Sequence, residues 1–391
     1  MDITQILLAA QSPDGNLRAA AEGNIKQFQE QNLPNFLLSL SVELSSDERP
    51  PESRRLAGII LKNSLDAKDS AKKELLIQQW VSLDPSIKLK IKESLLMTLG
   101  SSVADARQTS SQVIAKVASI EIPRREWQDL IAKLLSYMTQ PGASAPLKQA
   151  TLEALGYVCE EIPPEHLEQD QVNAVLTAVV QGMNQTELSS EVRLAAVKAL
   201  YNALDFAESN FANEMERTFI MKVICETAVS KEVEIRQAAF ECLVAIASTY
   251  YVHLDPYMQT IFNLTANAVK GDEEQDMVDY GNQLRRGIFE AYSGILQGIK
   301  GTKAQLMLPY AGHLLQFTEA VYKDSSRDES VTKAAVAVLG DLADTLGPIS
   351  KDLFKSHLFH VEFLRECLDL DDEVRETASW TQGMINQAIV S

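Results

Sequence analysis

Two stretches of ten residues, EVRLAAVKAL at 191–200 and EIRQAAFECL at 234–243, decide the fold. Each reads acid, apolar, Arg, any residue, Ala, Ala, apolar, any residue, small, Leu. The apolar residue before the Arg and the Leu seven positions after it fall on one face of a helix. The paired alanines allow a neighbouring helix to approach closely. The two stretches therefore predict two helices that pack through the same face.

Weaker copies of this pattern recur along the whole chain. Each copy has a basic residue at the position of the Arg, which we call the slot. The exception is one copy in which Thr332, with Lys333 beside it, holds the slot. Successive slots are 36 to 53 residues apart, which is longer than the 34-residue helical repeat and fits the two-helix HEAT class. The slots are residues 18, 54, 107, 148, 193, 236, 285, 332 and 375.

Stacking of helix pairs explains the apolar pattern, because one pair cannot bury its apolar stripe alone. The sequence predicts an all-α fold, a right-handed α-α superhelix of the HEAT/armadillo-like solenoid class. The basic slot near the start of each second helix is expected to bond to acids in the preceding turn. First helices are predicted at 126–139, 172–183 and 216–227, and turns near Pro123, Pro163 and Pro348.

The composition favours a protein that binds other proteins. The formal net charge of −18 over 391 residues repels phosphate backbones, so nucleic acid is not expected as a partner. The same charge suits basic protein partners, or serves solubility alone. The first residues, MDIT, lack the bases of a signal peptide, and no apolar run is long enough for a membrane span. We therefore expect a soluble intracellular protein without membrane insertion.

Motifs of catalysis do not occur in the sequence. It contains no GxxxxGK(S/T), GxGxxG or GxSxG, so we expect no enzyme activity and no cofactor. His357 and His360 could share a helix face, but without a nearby cysteine a surface pair is favoured over a metal site. The four cysteines lack CxxC spacing and are expected to be buried free thiols in a reducing compartment. They are Cys159, Cys225, Cys242 and Cys367.

Residues 54–69, RRLAGIILKNSLDAKD, form a first candidate for partner binding. The small and apolar positions that can face the stack are Ala57, Ile60, Leu61 and Ser64. Lys62, Asn63 and Lys68 are then polar positions near the end of a second helix. From spacing alone, an ordinary solvated face explains them better than a binding segment does.

The helices at 172–183 and 216–227 form a second candidate, because they carry more apolar surface than one buried stripe requires. On the first helix, Val180 flanks the core face and Thr177 lies beyond it. On the second, the apolar arc extends from Phe219 round to Cys225. Adjacent repeats would place the helices side by side as an apolar groove for an aromatic side chain of an extended ligand. A thicker core is the alternative.

Several segments resemble the importin β family of nuclear transport receptors. In the first two thirds of the chain they are AGIILKNSL at 57–65, IEIP at 120–123, TLEALGYVC at 151–159 and IMKVICE at 220–226. The final third resembles the extreme C-terminal end of the family, in VDYGNQLR at 278–285 and EAYSGILQG at 290–298. The resemblance implies N-terminal HEAT repeats over 1–272, C-terminal HEAT repeats over 273–391, and the loss of the family's central repeats between them.

This resemblance implies a nuclear import receptor, or a truncated form of one, that carries protein cargo and is found in the cytoplasm, in the nucleus and at the nuclear pore. It implies Ran-GTP binding by the N-terminal repeats, with Lys62, Asn63 and Lys68 as candidate contacts. It also implies docking of Phe-Gly nucleoporins between first helices of neighbouring repeats. The positions that match this docking site are Leu176, Thr177, Val180, Glu216, Phe219 and Ile220.

Three further expectations concern the junction and the partners. Importin α or another basic cargo is a doubtful partner, because the central repeats that grip its basic import segment are missing. The junction near 273–276 is expected to leave a weak seam around residues 270–285, although Arg285 follows Arg236 at a spacing that keeps the repeat phase. The alternative from another class is a HEAT-repeat scaffold for a multiprotein assembly, which has no need for a groove at Phe219.

Overall fold

The computed structural model describes residues 2–250, 253–267 and 275–390, except for the side chains of 248, 255, 258, 262, 265–267, 275–281 and 284. Most of the predicted seam around 270–285 therefore lies outside the residues whose contacts are described. The chain divides into two compact units, Met1–Ala207 and Glu208–Ser391. Every regular element within the described ranges is an α-helix or a short 3-10 helix.

The first unit consists of helix pairs, and the second helices of successive pairs stack in chain order: α4 packs on α7, α7 on α9, and α9 on α11. Its helices are α1 (Ile3–Ala9), α2 (Gly15–Gln31), α3 (Leu33–Ser45), α4 (Pro51–Asn63), α5 (Ser70–Val81), α6 (Pro85–Thr98), α7 (Ala104–Glu121), α8 (Leu130–Thr139), α9 (Ala145–Glu161), α10 (Gln169–Met183) and α11 (Ser190–Ala203).

The second unit repeats this arrangement, with α14 on α16, α16 on α18, and α18 on α21. Its described helices are α12 (Glu208–Ala212), α13 (Glu214–Thr227), α14 (Val233–Thr249), α15 (Met258–Asn267), α16 (Gln275–Ile299), α17 (Leu308–Lys323), α18 (Glu329–Leu346), α19 (Lys351–Ser356), α20 (Phe359–Cys367) and α21 (Asp372–Val390).

The predicted slots mark the starts of the second helices. In eight of the nine copies the slot is the fourth residue of its helix. A polar side chain four residues before the slot often caps the helix, as Ser144, Ser189 and Asp328 do by accepting a backbone N–H. The exception is Arg285, because α16 begins ten residues before it, at Gln275.

The partners of the basic slots agree with the prediction in part: Arg54 donates to Asp47, in the turn before α4, at 2.7 Å. Three of the arginines donate to backbone carbonyls rather than to acids: Arg18 to Ser12, Arg107 to Ser101 and Arg236 to Ser230, at 3.2, 2.9 and 2.8 Å. Each accepting carbonyl lies six residues earlier, just beyond the end of the preceding helix. Carbonyls at such ends lack an intrahelical donor, so a guanidinium satisfies them.

Small residues allow the second helices to approach closely, as the paired alanines predicted. Ala196 and Ala239 are fully buried. A Cβ atom on Gly156 of α9 would lie 3.2 Å from the Ala199 Cα atom of α11, and one on Gly294 of α16 would lie 3.2 Å from the Ala247 carbonyl oxygen of α14. The stack of α14 on α16 is thus as close as a stack within the first unit.

The turns near Pro123, Pro163 and Pro348 are present, but the helix predicted at 126–139 starts later, at Leu130. A turn occupies residues 122–129, where Arg125 has a φ of 59° and the Glu126 N–H donates to the Glu121 carbonyl at 2.9 Å. Trp127 in this turn is still buried. Its apolar side chain extended the helical pattern in the sequence without belonging to the helix.

Candidate functional site

The segment predicted to bind Ran lies at the C-terminal end of α4. Pro51 starts this helix, and the fully buried Ala57 and Leu61 fix the face that packs in the stack. Lys62, in the last turn, is half-buried, where its charge also suits the negative end of the helix dipole. Asn63 and Lys68 are exposed. The three side chains thus share one surface segment of the first unit, residues 62–68.

Within this segment, Lys62 has an ordered partner. Its ammonium donates a 2.9 Å hydrogen bond to the Gln112 Oε1 atom of α7. An ammonium carries three N–H donors, so Lys62 keeps two of them for another partner. Lys68 immediately precedes Asp69, which caps α5 by accepting the Lys72 N–H at 2.8 Å. The segment is therefore anchored by a helix on each side while its polar side chains face outward.

On α10, the residues predicted to bind Phe-Gly repeats are mostly buried. A capping box of Glu168 and Gln171 starts this helix. Leu176 is 5% exposed and Val180 is 8% exposed, whereas Thr177 is exposed and donates to the Asn173 carbonyl at 2.7 Å. Val180 is thus part of the packed interior rather than a free flank.

On α13, the predicted residues divide between surface and core. Phe219 is 58% exposed, an unusual state for a large aromatic side chain, whereas Ile220 is 4% exposed. Glu216 is exposed and accepts a 2.5 Å hydrogen bond from the Asn210 Nδ2 atom. Of the apolar arc from Phe219 to Cys225, only Phe219 reaches the surface, so a thicker core explains the rest of the arc.

Leu176, Thr177 and Val180 belong to the first unit, and Glu216, Phe219 and Ile220 to the second. The groove between the two helices stays a prediction. Met215, which the sequence analysis missed, is 84% exposed and precedes Phe219 by four residues, so the two share a helix face. That spacing was the signal that could have identified Met215. Together they form an exposed apolar pair on α13.

An open groove of about 1050 Å³ lies on the second helices of the second unit. Its lining contains six carboxylates but only two basic residues, Arg286 and Lys333. The carboxylates are Glu290, Asp328, Glu329, Asp341, Asp371 and Glu373. Burial raises the pKa of Asp341, and a hydrogen bond to the neighbouring Asp371 carboxyl raises the pKa of Glu329. The excess of carboxylates over basic residues favours a cationic ligand, and the Glu329 shift has a neighbouring carboxyl as its cause.

The described residues show no metal centre. They contain no group of three or more His, Cys, Asp and Glu side chains placed to hold a metal ion. All four cysteines are free and buried, as predicted, and burial raises the pKa of Cys159 to about 12. The predicted surface pair of histidines is wrong for His360, which is buried with its Nε2 atom 3.1 Å from the Phe354 carbonyl. No described helix is long and apolar enough to cross a membrane.

Comparison with known proteins decides the family. The profile described as importin subunit beta-1-like, TPR repeats, matches residues 128–368, and the profile of the importin-beta N-terminal domain matches residues 21–101. The chain belongs to the importin β family. The predicted family and the all-α solenoid class are thereby confirmed.

Two kinds of relatives support this assignment. Importin subunit beta-1 of Arabidopsis thaliana is 58% identical over 98% of this chain and 45% of the relative. Yeast Kap95p is similar in two solved complexes, one with RanGDP at a TM-score of 0.74 and 30% identity, and one with Nup1 at 0.73 and 29%. Each of these alignments covers 98% of this chain and 45% of Kap95p. The chain thus spans about half the length of the relatives it matches.

Proposed function

We propose that this chain acts as a nuclear transport receptor of the importin β type that binds Ran-GTP and Phe-Gly nucleoporins and carries protein cargo into the nucleus. The match of the family profiles to residues 21–101 and 128–368 carries this proposal. Residues 1–272 would supply the Ran-binding and Phe-Gly-binding repeats, and 273–391 the C-terminal repeats. The receptor would move between cytoplasm and nucleus and concentrate at the nuclear envelope, which fluorescence of the tagged chain would test.

The Ran proposal rests on segment 62–68 and on the relative in complex with RanGDP. There, Kap95p causes the switch loops of RanGDP to adopt the GTP-bound conformation. A receptor that selects this conformation binds the GTP form more tightly, since that form needs no conformational change. Titration of the full chain with Ran in each nucleotide state tests this. Equal affinity for the two states, or no binding, would contradict the receptor role.

The nucleoporin proposal rests on the exposed Phe219 and on the relative in complex with Nup1. Phe219→Asp should weaken binding of a Phe-Gly peptide by at least about tenfold, because the new charge must be desolvated in an apolar contact. The exposure of Phe219 means that circular dichroism should stay unchanged. Val180→Asp is a poorer test, since a buried aspartate would also destabilise the fold.

Val229→Asp is the matched control for Phe219→Asp. Val229 belongs to the same unit, is 61% exposed and lies outside the predicted docking residues. The Val229→Asp variant should bind the Phe-Gly peptide with the affinity of the unmodified chain. If Phe219→Asp is folded and its affinity is unchanged, Phe219 is not part of a docking site.

A basic cargo is the third proposed partner, and the acidic groove on α16, α18 and α21 suits it by charge. We expect weaker binding of importin α's basic import segment than a full-length relative shows, because the chain covers only half of such relatives. Titration of that segment against both proteins, at two salt concentrations, tests this. A HEAT-repeat scaffold is the competing function, and it predicts no preference between nucleotide states of Ran.

A further inference from the structure

Helix α7 holds the proposed Ran-binding segment at two points. Gln112 accepts the hydrogen bond from Lys62, and the Lys116 Nζ atom lies 2.6 Å from the Asp66 Oδ2 atom. Lys62 and Asp66 are four residues apart, and so are Gln112 and Lys116. Residues four apart lie on the same face of a helix, so one face of α7 provides both contacts.

Asp66 lies within segment 62–68, between Asn63 and Lys68. Its Oδ1 atom accepts the Ala67 N–H at 2.9 Å and lies 3.0 Å from the Lys73 Nζ atom of α5. Its Oδ2 atom faces Lys116. One carboxylate thereby fixes the local backbone and joins it to two helices. The position of this carboxylate determines how the flanking polar side chains are presented.

Lys116 also joins this carboxylate to the next repeat. Its Nζ atom donates to the Glu161 Oε1 atom, at the last residue of α9, at 2.6 Å. The Lys116 side chain is 17% exposed. Burial disfavours its charge, but the hydrogen bonds to Asp66 and Glu161 outweigh burial and raise the pKa of Lys116. The ammonium thus stays charged at neutral pH and connects α7 to the loop after α4 and to the end of α9.

We infer that Lys116 is a positioning residue for Ran binding: by bridging Asp66 to Glu161, it fixes the place of segment 62–68 relative to the following repeats. This inference rests on the proposed function. Lys116 does not itself have to touch Ran. It stabilises the arrangement in which Lys62, Asn63 and Lys68 face outward, so that binding does not have to order them.

The test compares three variants of the full chain. Lys116→Met removes the charge but keeps most of the aliphatic stem, and Lys116→Arg keeps the charge. Lys148→Met is the matched control, because Lys148 lies in the same unit, is 25% exposed and pairs with Glu187 at 2.8 Å. Two measurements are made on each variant: hydrogen exchange of the amides at 64–69, and affinity for Ran loaded with GTP.

Lys116→Met should accelerate exchange at 64–69 and weaken Ran-GTP binding by about fivefold, a size typical of residues that act outside a binding site. Lys116→Arg should restore both, and Lys148→Met should change neither. The inference is overturned if exchange at 64–69 is unchanged in Lys116→Met, or if Lys148→Met weakens Ran binding equally. If the unmodified chain does not bind Ran-GTP, the proposed function fails, while exchange still decides whether Lys116 positions the segment.

Discussion

In the first unit, charged side chains are buried and paired across repeats, whereas in the second unit the groove carboxylates line an open surface. Arg54 is fully buried and donates to the Leu44 carbonyl, to Asp47 and to Ser101, at 2.9, 2.7 and 2.8 Å. Glu121 is also fully buried, 2.7 Å from the Lys92 Nζ atom. By contrast, the groove has six carboxylates for two cations.

This difference shows that the net charge of −18 does not serve one purpose along the chain. Charges of the first unit join neighbouring repeats, as when Arg54 reaches Ser101, 47 residues away. Such buried pairs are costly to break, because the remaining partner is left as an uncompensated charge. Exposed pairs of the second unit contribute little to folding and leave the acids available for a partner.

The largest expected effect is that of breaking a buried pair in the first unit. Glu121→Ala leaves Lys88 and Lys92 without their shared carboxylate and removes the acceptor of the Trp80 Nε1–H. We expect the free energy of unfolding of the first unit to fall by about 3–5 kcal/mol. Chemical denaturation followed by segment-resolved hydrogen exchange measures it.

The control for Glu121→Ala is Glu373→Ala in the second unit. Glu373 lies 2.5 Å from the Lys333 Nζ atom, but its side chain is 75% exposed. No measurable change in unfolding is expected, since solvent screens this pair. Equal losses in the two variants would show that burial does not distinguish the two units.

The next effect concerns two glycines at close approaches between second helices. A Cβ atom on Gly58 would lie 2.3 Å from the Thr109 Cγ2 atom, and one on Gly340 would lie 2.2 Å from an atom of the Trp380 ring. Thr109 is buried and β-branched, and so is Thr381, whose Oγ1 atom would lie 2.6 Å from a Cβ atom on Gly340. Gly58→Ala and Gly340→Ala should therefore each cost about 1–3 kcal/mol.

Thermal unfolding of both alanine variants measures this cost. Gly23→Ala, on α2, is the control, because a Cβ atom there would meet no other atom within 4 Å. It should be neutral or slightly stabilising, as alanine favours a helix more than glycine does. If neither variant loses more stability than Gly23→Ala, these two helix contacts do not require a glycine.

The sequence predicted the fold because the repeat is a local pattern: the slot, the paired alanines and the apolar stripe all lie within one helix. It also identified Lys62 and Phe219 as surface residues, through periodicity and family resemblance. It could not show that Lys116 bridges Asp66 and Glu161, 50 residues before it and 45 after it. The burial of Val180 was missed for the same reason, since burial depends on other helices and not on the spacing within one.

The smallest expected effect tests whether the second unit has any charge pair of the kind found in the first. Asp324 lies 2.7 Å from the Arg285 guanidinium and is 35% exposed. Hydrogen bonds from the Ser326 backbone and hydroxyl, together with Arg285, lower the pKa of Asp324 to about 2. A carboxyl with a lowered pKa stabilises the fold above about pH 4 and loses this contribution as the pH falls through about 2.

Asp324→Asn should therefore lower the free energy of unfolding at pH 6 by about 1 kcal/mol, a value reduced for solvent screening, and the difference should vanish near pH 2.

Asp341→Asn in the same unit is the opposite case, because burial raises the pKa of Asp341. The stability linked to that carboxyl is present at low pH and is lost as the pH rises through its folded pKa, so Asp341→Asn should stabilise the unit at pH 6. Denaturation of both variants between pH 2 and pH 6 measures these shifts. If they have the same sign at pH 6, the groove carboxylate and the paired carboxylate of the second unit are not distinct.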